Sequence, residues 1–216
     1  MRPPVLWSFR RCPYAMRARL AIASAGIDCE LREVALRDKP EAFLAAASDG
    51  TVPALDTGSG MITESLDIMR WALEQTDPEG WLTLPPEAAD LISTADGPFK
   101  LALDHTKYAS RYPDADPKKS REEASRFLRV LNEMLDGRDW LHGSLPRFTD
   151  MAALPFVRQF ANIDRHWFDA QPWPGLIRWL DAFLASDRFA RIMLKYPQWH
   201  PGEDPISFPP ASSSVF

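Results

Sequence analysis

The first third of the chain alternates between two patterns of hydrophobic and polar positions. Short apolar or alternating runs predict strands, and apolar residues three and four positions apart predict helices. The predicted strands cover residues 4–9, 29–34, 51–55 and 61–62, and the predicted helices cover residues 13–25, 37–47 and 63–75. This β-α-β-α-β-β-α order predicts a mixed sheet with helices packed against it.

The pattern changes after residue 76. Residues 77–86 contain the breakers Asp77-Pro78-Glu79-Gly80 and Pro85-Pro86, so they are predicted to be a linker. Helical periodicity follows at 87–108 (interrupted by Gly97-Pro98), from Asp116-Pro117 to Gly137, and at 149–163, 175–185 and 188–194. We therefore predict a first domain at 1–76 and an all-helical second domain at 87–216 that ends in an irregular tail.

Composition limits the partners that this chain is expected to have. The chain has 216 residues, 45% of them hydrophobic, and a formal net charge of −5, which disfavours nonspecific nucleic-acid binding. Arginines at 10, 11, 17 and 19 could still form a local basic pocket. No signal peptide and no apolar run long enough for a bilayer is evident, and two cysteines are no disulfide framework. A cytoplasmic protein without a membrane segment is expected.

Cys12 lies where the first predicted strand meets the first predicted helix, and Pro13 suits the first helical position. The positive end of the helix dipole and the neighbouring Arg10 and Arg11 favour its thiolate form. The position of a resolving cysteine, three residues on, is Ala15, so a reactive Cys12 needs an external thiol. The alternative is a buried, inert cysteine.

The motifs resemble one family when they are taken together. In chain order they are Cys12-Pro13-Tyr14 at the strand–helix junction, Arg37-Asp38-Lys39-Pro40, Val52-Pro53, Glu64-Ser65, and Phe148 to Phe156 in the second domain. They resemble the cytosolic glutathione transferases, most of all the omega-like and glutaredoxin-2-like members. The resemblance implies an α/β thioredoxin-like first domain followed by an all-α domain, and a homodimer.

The resemblance also implies a role for several residues. Cys12 is expected to be the nucleophile, with glutathione as cosubstrate. A cis Val52-Pro53 turn would pair with the cysteinyl backbone of glutathione, Glu64 and Ser65 would hold its γ-glutamyl end, and Lys39 its glycyl carboxylate. Tyr14 would contact the ligand or cover Cys12.

Each of these assignments has a structural alternative. Val52-Pro53 could be an ordinary trans proline at an edge strand. Thr63 or Ser65 could simply cap a helix, with Glu64 complementing the helix dipole. Lys39 could be solvated, and Cys29, within a predicted strand, is expected to be inert.

The second domain is expected to form the wall of the cosubstrate site. The candidates for this wall are Phe99, His105, Lys107, Tyr108 and Arg111. The four histidines show no metal-ligand spacing, so no metal site is expected. Arg147 stands where the family has a capping Ser or Thr and cannot accept a hydrogen bond. We therefore expect Thr149 to cap that helix, which would begin later.

Three functions fit the sequence. The first is a glutathione-dependent thiol transferase or reductase acting on mixed-disulfide, S-glutathionyl or dehydroascorbate-type substrates. The second is conjugation of glutathione to an electrophile, or peroxide reduction, with Ser8 or Tyr14 activating the thiol. The third is a regulatory or binding protein on the same scaffold, without turnover.

Overall fold

A computed structural model describes residues 2–210, which form two compact units. The first unit comprises residues 2–79 and 185–210, and the second Gly80–Leu184. The first unit contains β1 (Val5–Ser8), α1 (Pro13–Ala25), β2 (Cys29–Glu33), α2 (Glu41–Ala46), β3 (Ala54–Asp56), β4 (Met61–Ile62), α3 (Ser65–Gln75), α10 (Asp187–Ile192) and β5 (Ile206–Phe208). The second contains α4 (Ala88–Thr94), α5 (Lys100–Lys107), α6 (Pro117–Met134), α7 (Phe148–Ala161), α8 (Arg165–Asp169) and α9 (Pro174–Leu184).

The five strands form one mixed sheet in the order β4-β3-β1-β2-β5. β1 is central and fully buried, parallel to β2 and antiparallel to β3. Val5 and Trp7 point to one face of the sheet and contribute to a hydrophobic cluster, while Leu6 points to the other. α1 packs against α3. The mixed sheet predicted from the alternating pattern is therefore confirmed, and so is the thioredoxin-like arrangement that the resemblance implied.

The C-terminal segment joins the first unit. β5 pairs antiparallel with β2, with Leu31 opposite Ile206, and α10 packs against α1. The prediction that 87–216 forms one domain is wrong at this end, because residues 185–210 complete the sheet and helix layer of the first unit. Part of the predicted tail, residues 211–216, lies outside the described residues.

Trp199 anchors this segment beside the sheet. Its backbone N–H donates to the Glu33 carbonyl at 2.9 Å. Its ring lies 5.0 Å from the Trp7 ring and 4.5 Å from the Arg32 guanidinium. Only 9% of the residue is exposed. Trp199 therefore contributes to the same cluster as Trp7 and Val5.

Truncation of Trp199 is expected to destabilise the protein. Trp199→Ala removes this buried ring and should lower the free energy of unfolding by about 3 kcal/mol, while Trp199→Phe should cost less than half of that. Urea unfolding followed by circular dichroism measures both values. Equal stability of Trp199→Ala and wild type would show that the segment is not anchored there.

The second unit is helical among its described residues, as predicted. The expected interruption at Gly97-Pro98 is confirmed as one π-helical turn at Ala95–Phe99. α6 begins after Asp116, whose carboxylate accepts the N–H of Lys118 at 2.8 Å and that of Lys119 at 3.4 Å. Capping explains why the helix starts there.

The predicted start of α7 is wrong. The helix begins at Phe148, and Thr149 lies inside it rather than capping it. Asp150 instead reaches back, and its Oδ2 accepts the Arg147 N–H at 2.9 Å. The other oxygen, Oδ1, accepts the Leu141 N–H at 2.9 Å and the Trp179 indole N–H at 3.1 Å. One buried carboxylate thus replaces the missing cap and ties α7 to two other segments.

Asp150 is expected to make stability depend on pH. Burial raises its pKa from the ordinary 3.8 to about 6, although four hydrogen bonds, one of them from its own backbone N–H, oppose the shift. The folded state therefore holds this proton more tightly than the unfolded chain. The contribution of this proton to the free energy of unfolding is complete below about pH 4 and is lost as pH rises through about 6.

Comparison with Asp150→Asn isolates this effect. Between about pH 4 and about pH 7, wild type should lose about 3 kcal/mol of unfolding free energy relative to the Asn variant. Urea titrations across this range measure the difference. A difference that stays constant with pH would contradict the raised pKa.

Candidate functional site

Cys12 occupies the N-cap of α1, as the sequence predicted. Its backbone is extended, its N–H donates to the Phe9 carbonyl at 3.0 Å, and its own carbonyl accepts the Met16 N–H at 3.0 Å. Pro13 follows as the first helical residue. The thiol is half-buried, and its Sγ lies 3.5 Å from the Val52 carbonyl oxygen. An accessible thiol at a helix N-terminus suits nucleophilic chemistry.

The Val52-Pro53 peptide bond is cis, which confirms that prediction. Both residues are buried at the end of the loop that precedes β3. The Val52 carbonyl faces the Cys12 thiol, so the structure brings these two predicted site residues together. Lys39 is exposed, and its Nζ lies beside Gly50 at the start of the same loop segment.

The start of α3 offers backbone donors. Glu64 is its exposed N-cap residue, and among the described residues no side chain caps this helix. The alternative that Thr63 or Ser65 caps the helix is therefore wrong. Uncapped N–H groups at a helix N-terminus form an anion site. Ser65 is buried beside them.

Ser65 is linked to α1 through an arginine. Arg17, fully buried, donates from Nη1 to the Ser65 Oγ at 3.4 Å, and its guanidinium lies 5.7 Å from the Tyr14 ring. Tyr14 itself is half-buried one turn before Arg17. The structure therefore connects Tyr14 and Ser65, two predicted ligand contacts, through a residue that sequence reasoning did not assign to either.

The arginines do not form the single basic pocket that the sequence suggested. Arg17 and Arg19 are buried within the first unit. Arg11 is exposed, with its guanidinium 5.5 Å from the Phe9 ring, and the Arg10 guanidinium donates to the Met193 carbonyl at 3.5 Å. Arg17 and Arg19 lie within α1 and Arg10 and Arg11 in the turn before it, so the two pairs have different surroundings.

A buried polar cluster supports the loop before Cys12. Arg19 donates from Nη1 to the Ser8 Oγ and from Nη2 to the Arg10 carbonyl, both at 2.6 Å. The Arg10 N–H donates to the Glu33 Oε1 at 2.6 Å. Burial lowers the pKa of Arg19 to about 10 and raises the pKa of Glu33. Glu33 was not a predicted site residue, although its position at the end of β2, beside the end of β1, was an available signal.

Cys29 and Ser8 are both poor candidates for chemistry. Burial raises the pKa of the Cys29 thiol to about 12, which fits the inert role expected for it. Ser8 is buried, and its hydroxyl accepts from Arg19. This arrangement weakens the assignment of Ser8 as a thiol-activating hydroxyl.

The second-unit candidates fall into two groups. Phe99 is buried against the Phe127 ring at 5.0 Å, yet it and His105 line a mostly apolar cavity of about 650 Å³ between α4, α5 and α6. Tyr108 lies close to two cations, with the Lys107 Nζ 5.1 Å and the Arg111 guanidinium 4.7 Å from its ring. Their role as a cosubstrate wall stays a prediction.

Residues 2–210 contain neither a metal-binding cluster nor a membrane-spanning helix. Within that range, no group of three or more His, Cys, Asp or Glu side chains could hold a metal ion. No helix in the same range is long and apolar enough to cross a bilayer.

Two family models match the chain. Residues 6–81 match the model described as glutathione S-transferase, N-terminal domain, and residues 88–182 match the model described as glutathione S-transferase, C-terminal domain. Together they span most of the chain.

Named relatives agree with these matches. Glutathione transferase omega-1 of Caenorhabditis elegans is 26% identical over 200 residues, covering 84% of this chain and 77% of the relative. Glutathione S-transferase DHAR3, chloroplastic, of Arabidopsis thaliana is 31% identical over 164 residues, 69% of this chain and 63% of the relative. The crystal structure of glutathione transferase Omega 3C from Trametes versicolor has a TM-score of 0.75 at 17% identity, with 93% of this chain and 87% of that chain covered.

Proposed function

The chain belongs to the glutathione S-transferase family, and on that premise we propose that it is a glutathione-dependent thiol transferase or reductase with Cys12 as nucleophile. The observation that carries the proposal is the half-buried Cys12 thiol at the N-terminus of α1, facing the Val52 carbonyl. Relatives named omega and DHAR glutathione transferases support an activity of the glutathione transferase type.

The proposed reaction has two exchange steps. The Cys12 thiolate attacks the glutathionyl sulfur of a mixed disulfide, a Cys12–glutathione disulfide forms, and the substrate leaves as a thiolate that takes a proton from water. The thiolate of a second glutathione then attacks the glutathionyl sulfur on Cys12, releasing oxidised glutathione and restoring the Cys12 thiolate. S-Glutathionyl and dehydroascorbate-type compounds are further proposed substrates.

Glutathione is proposed to lie across the elements that surround Cys12. Val52 would pair with its cysteinyl backbone as an additional extended strand. Its γ-glutamyl carboxylate would bind the uncapped start of α3 and the Ser65 hydroxyl, with Glu64 on its ammonium group. Lys39 would bind the glycyl carboxylate. Tyr14, which lies beside Arg17, would complete the contacts.

A covalent adduct tests the proposal. Incubation with oxidised glutathione, digestion without reductant and mass spectrometry should place a glutathionyl group on the Cys12 peptide. The Cys29 peptide is the internal control, because its thiol is buried with a pKa of about 12. Adduct on Cys29 alone, or on neither peptide, would count against Cys12 as the nucleophile.

Ser65→Ala is expected to weaken glutathione binding. The variant removes a buried hydroxyl from the proposed carboxylate site and should raise the Kd for glutathione about tenfold, the cost of one hydrogen bond to a charged group. Isothermal titration calorimetry measures this change.

Ser59→Ala is the matched control. Ser59 is exposed in the turn between β3 and β4, where its hydroxyl lies 3.0 Å from that of Thr57. Its Kd should stay within about twofold of wild type. An unchanged Kd in Ser65→Ala would remove Ser65 from the proposed site.

Oligomeric state and compartment complete the proposal. Leu101 on α5 and Val130 on α6 border the apolar cavity of the second unit with 57% and 47% exposure. Such exposed apolar side chains favour a homodimer, which light scattering would detect. Because the reaction needs reduced Cys12, we propose a reducing compartment, the cytoplasm.

A further inference from the structure

We propose that Arg19 and Glu33 are a pair of positioning residues for Cys12, in which Arg19 supplies the buried positive charge that favours the thiolate and Glu33 moderates it. The inference rests on the proposed role of Cys12 as nucleophile. The cation that favours the thiolate is then Arg19, which the fold places behind the loop before Cys12. Arg10 and Arg11, the neighbours of Cys12 in sequence, do not have this role.

The pair holds the backbone of one residue, Arg10, from both sides. Arg19 donates to the Arg10 carbonyl and Glu33 accepts the Arg10 N–H, each at 2.6 Å. A second bond from Arg19, to the Ser8 Oγ, fixes the end of β1. The segment between these anchors leads directly into Cys12. The Cys12 N–H donates to the Phe9 carbonyl, within the same segment. The position of the thiol therefore depends on both side chains.

Burial makes the charge of Arg19 effective. Arg19 is 1% exposed, and the charged or titratable groups that face it are Glu33, Cys12, Tyr196 and Arg10. A buried charge is screened far less than one in water. Arg11 is exposed, so solvent weakens its field at the thiol. Arg19 keeps its charge near neutral pH, because its pKa remains about 10.

The pair is costly for stability. Within residues 2–210, the Arg19 Nε, the Glu33 Oε2 and the Tyr196 hydroxyl are buried without a hydrogen-bond partner. Glu33 faces Arg10 and Arg19, and burial raises its pKa and that of Tyr196. Incompletely bonded buried charges destabilise a fold, and they are typical of functional sites. This cost favours a functional role for the pair over a purely structural one.

The test measures how Cys12 alkylation by iodoacetamide depends on pH, with the modified peptide identified by mass. Arg19→Met should raise the pH of half-maximal rate by about one unit, which makes alkylation about tenfold slower near neutral pH. Glu33→Gln keeps an acceptor for the Arg10 N–H but removes the negative charge, so the half-maximal pH should fall. Arg19→Lys, which keeps the charge, should stay within about a third of a unit of wild type.

The half-maximal pH should shift in opposite directions in Arg19→Met and Glu33→Gln. General damage to the structure would not produce opposite shifts. Shifts of Arg19→Met and Glu33→Gln in the same direction, or an Arg11→Met shift as large as that of Arg19→Met, would overturn the inference. If Arg19→Met does not fold, Glu33→Gln decides alone, since an unchanged or higher half-maximal pH is then the negative result. Alkylation needs no glutathione, so wild type that fails to turn over mixed disulfides would refute the proposed function without affecting this test.

Discussion

Cys12→Ser is expected to lower turnover of a glutathione mixed disulfide at least about a thousandfold, because a serine hydroxyl does not ionise at neutral pH and cannot form the mixed disulfide. The variant should fold normally, since the change is isosteric at a half-buried position. A coupled assay that follows formation of oxidised glutathione measures the loss. Cys29→Ala is the control and should retain turnover within about twofold of wild type.

The outcome also separates the alternative functions. Undiminished turnover in Cys12→Ser would rule out the single-cysteine mechanism. Intact glutathione conjugation in Cys12→Ser together with reduced conjugation in Tyr14→Phe would favour the conjugating alternative, because Ser8 is buried and bonded to Arg19. Glutathione binding without turnover in wild type would favour a binding protein.

Asp150→Ala is expected to lower the free energy of unfolding by about 3 to 5 kcal/mol at about pH 5. The substitution removes the acceptor for the N–H groups of Arg147, Leu141 and Trp179, which are then left without a partner in a buried site. The start of α7 should fray, because no other side chain caps it among residues 2–210. Urea unfolding measures the loss.

Asp116→Ala provides the matched control in the same unit. Asp116 also binds backbone N–H groups at a helix start, those of Lys118 and Lys119, but it is exposed. Removing an exposed cap costs about 1 kcal/mol. Equal losses in the two variants would show that burial adds nothing to the role of Asp150.

Local patterns were sufficient for most elements of this fold. α1 begins at Pro13 and ends at Ala25 as predicted, since proline suits a first turn and Gly26 adopts a left-handed conformation with φ of 65°. The interruption at Gly97-Pro98 was also predicted, because proline lacks the N–H that a hydrogen bond inside a helix needs. The predicted helix at 37–47 is shorter, Glu41–Ala46, because the Asp38 N–H closes a turn on the Ala35 carbonyl.

Long-range pairing was beyond these patterns. β5 has three residues in a proline-rich stretch and exists because β2 offers an open edge. The short helix α8 was missed as well. At the start of α7, Arg147 cannot accept a hydrogen bond, as predicted, but the buried Asp150 carboxylate three residues on accepts the backbone N–H instead.

The sequence by itself determined that a cysteine begins a helix, that a proline and a Glu-Ser pair recur at the spacings of one family, and that the chain has a mixed α/β part followed by a helical part. These features depend on neighbours in the chain. Only the tertiary structure decided which charge faces the Cys12 thiol. Arg11 is adjacent in sequence yet exposed, while Arg19, two helical turns away, is buried with Glu33 behind the loop. Burial, which no local pattern specifies, sets the strength of that charge.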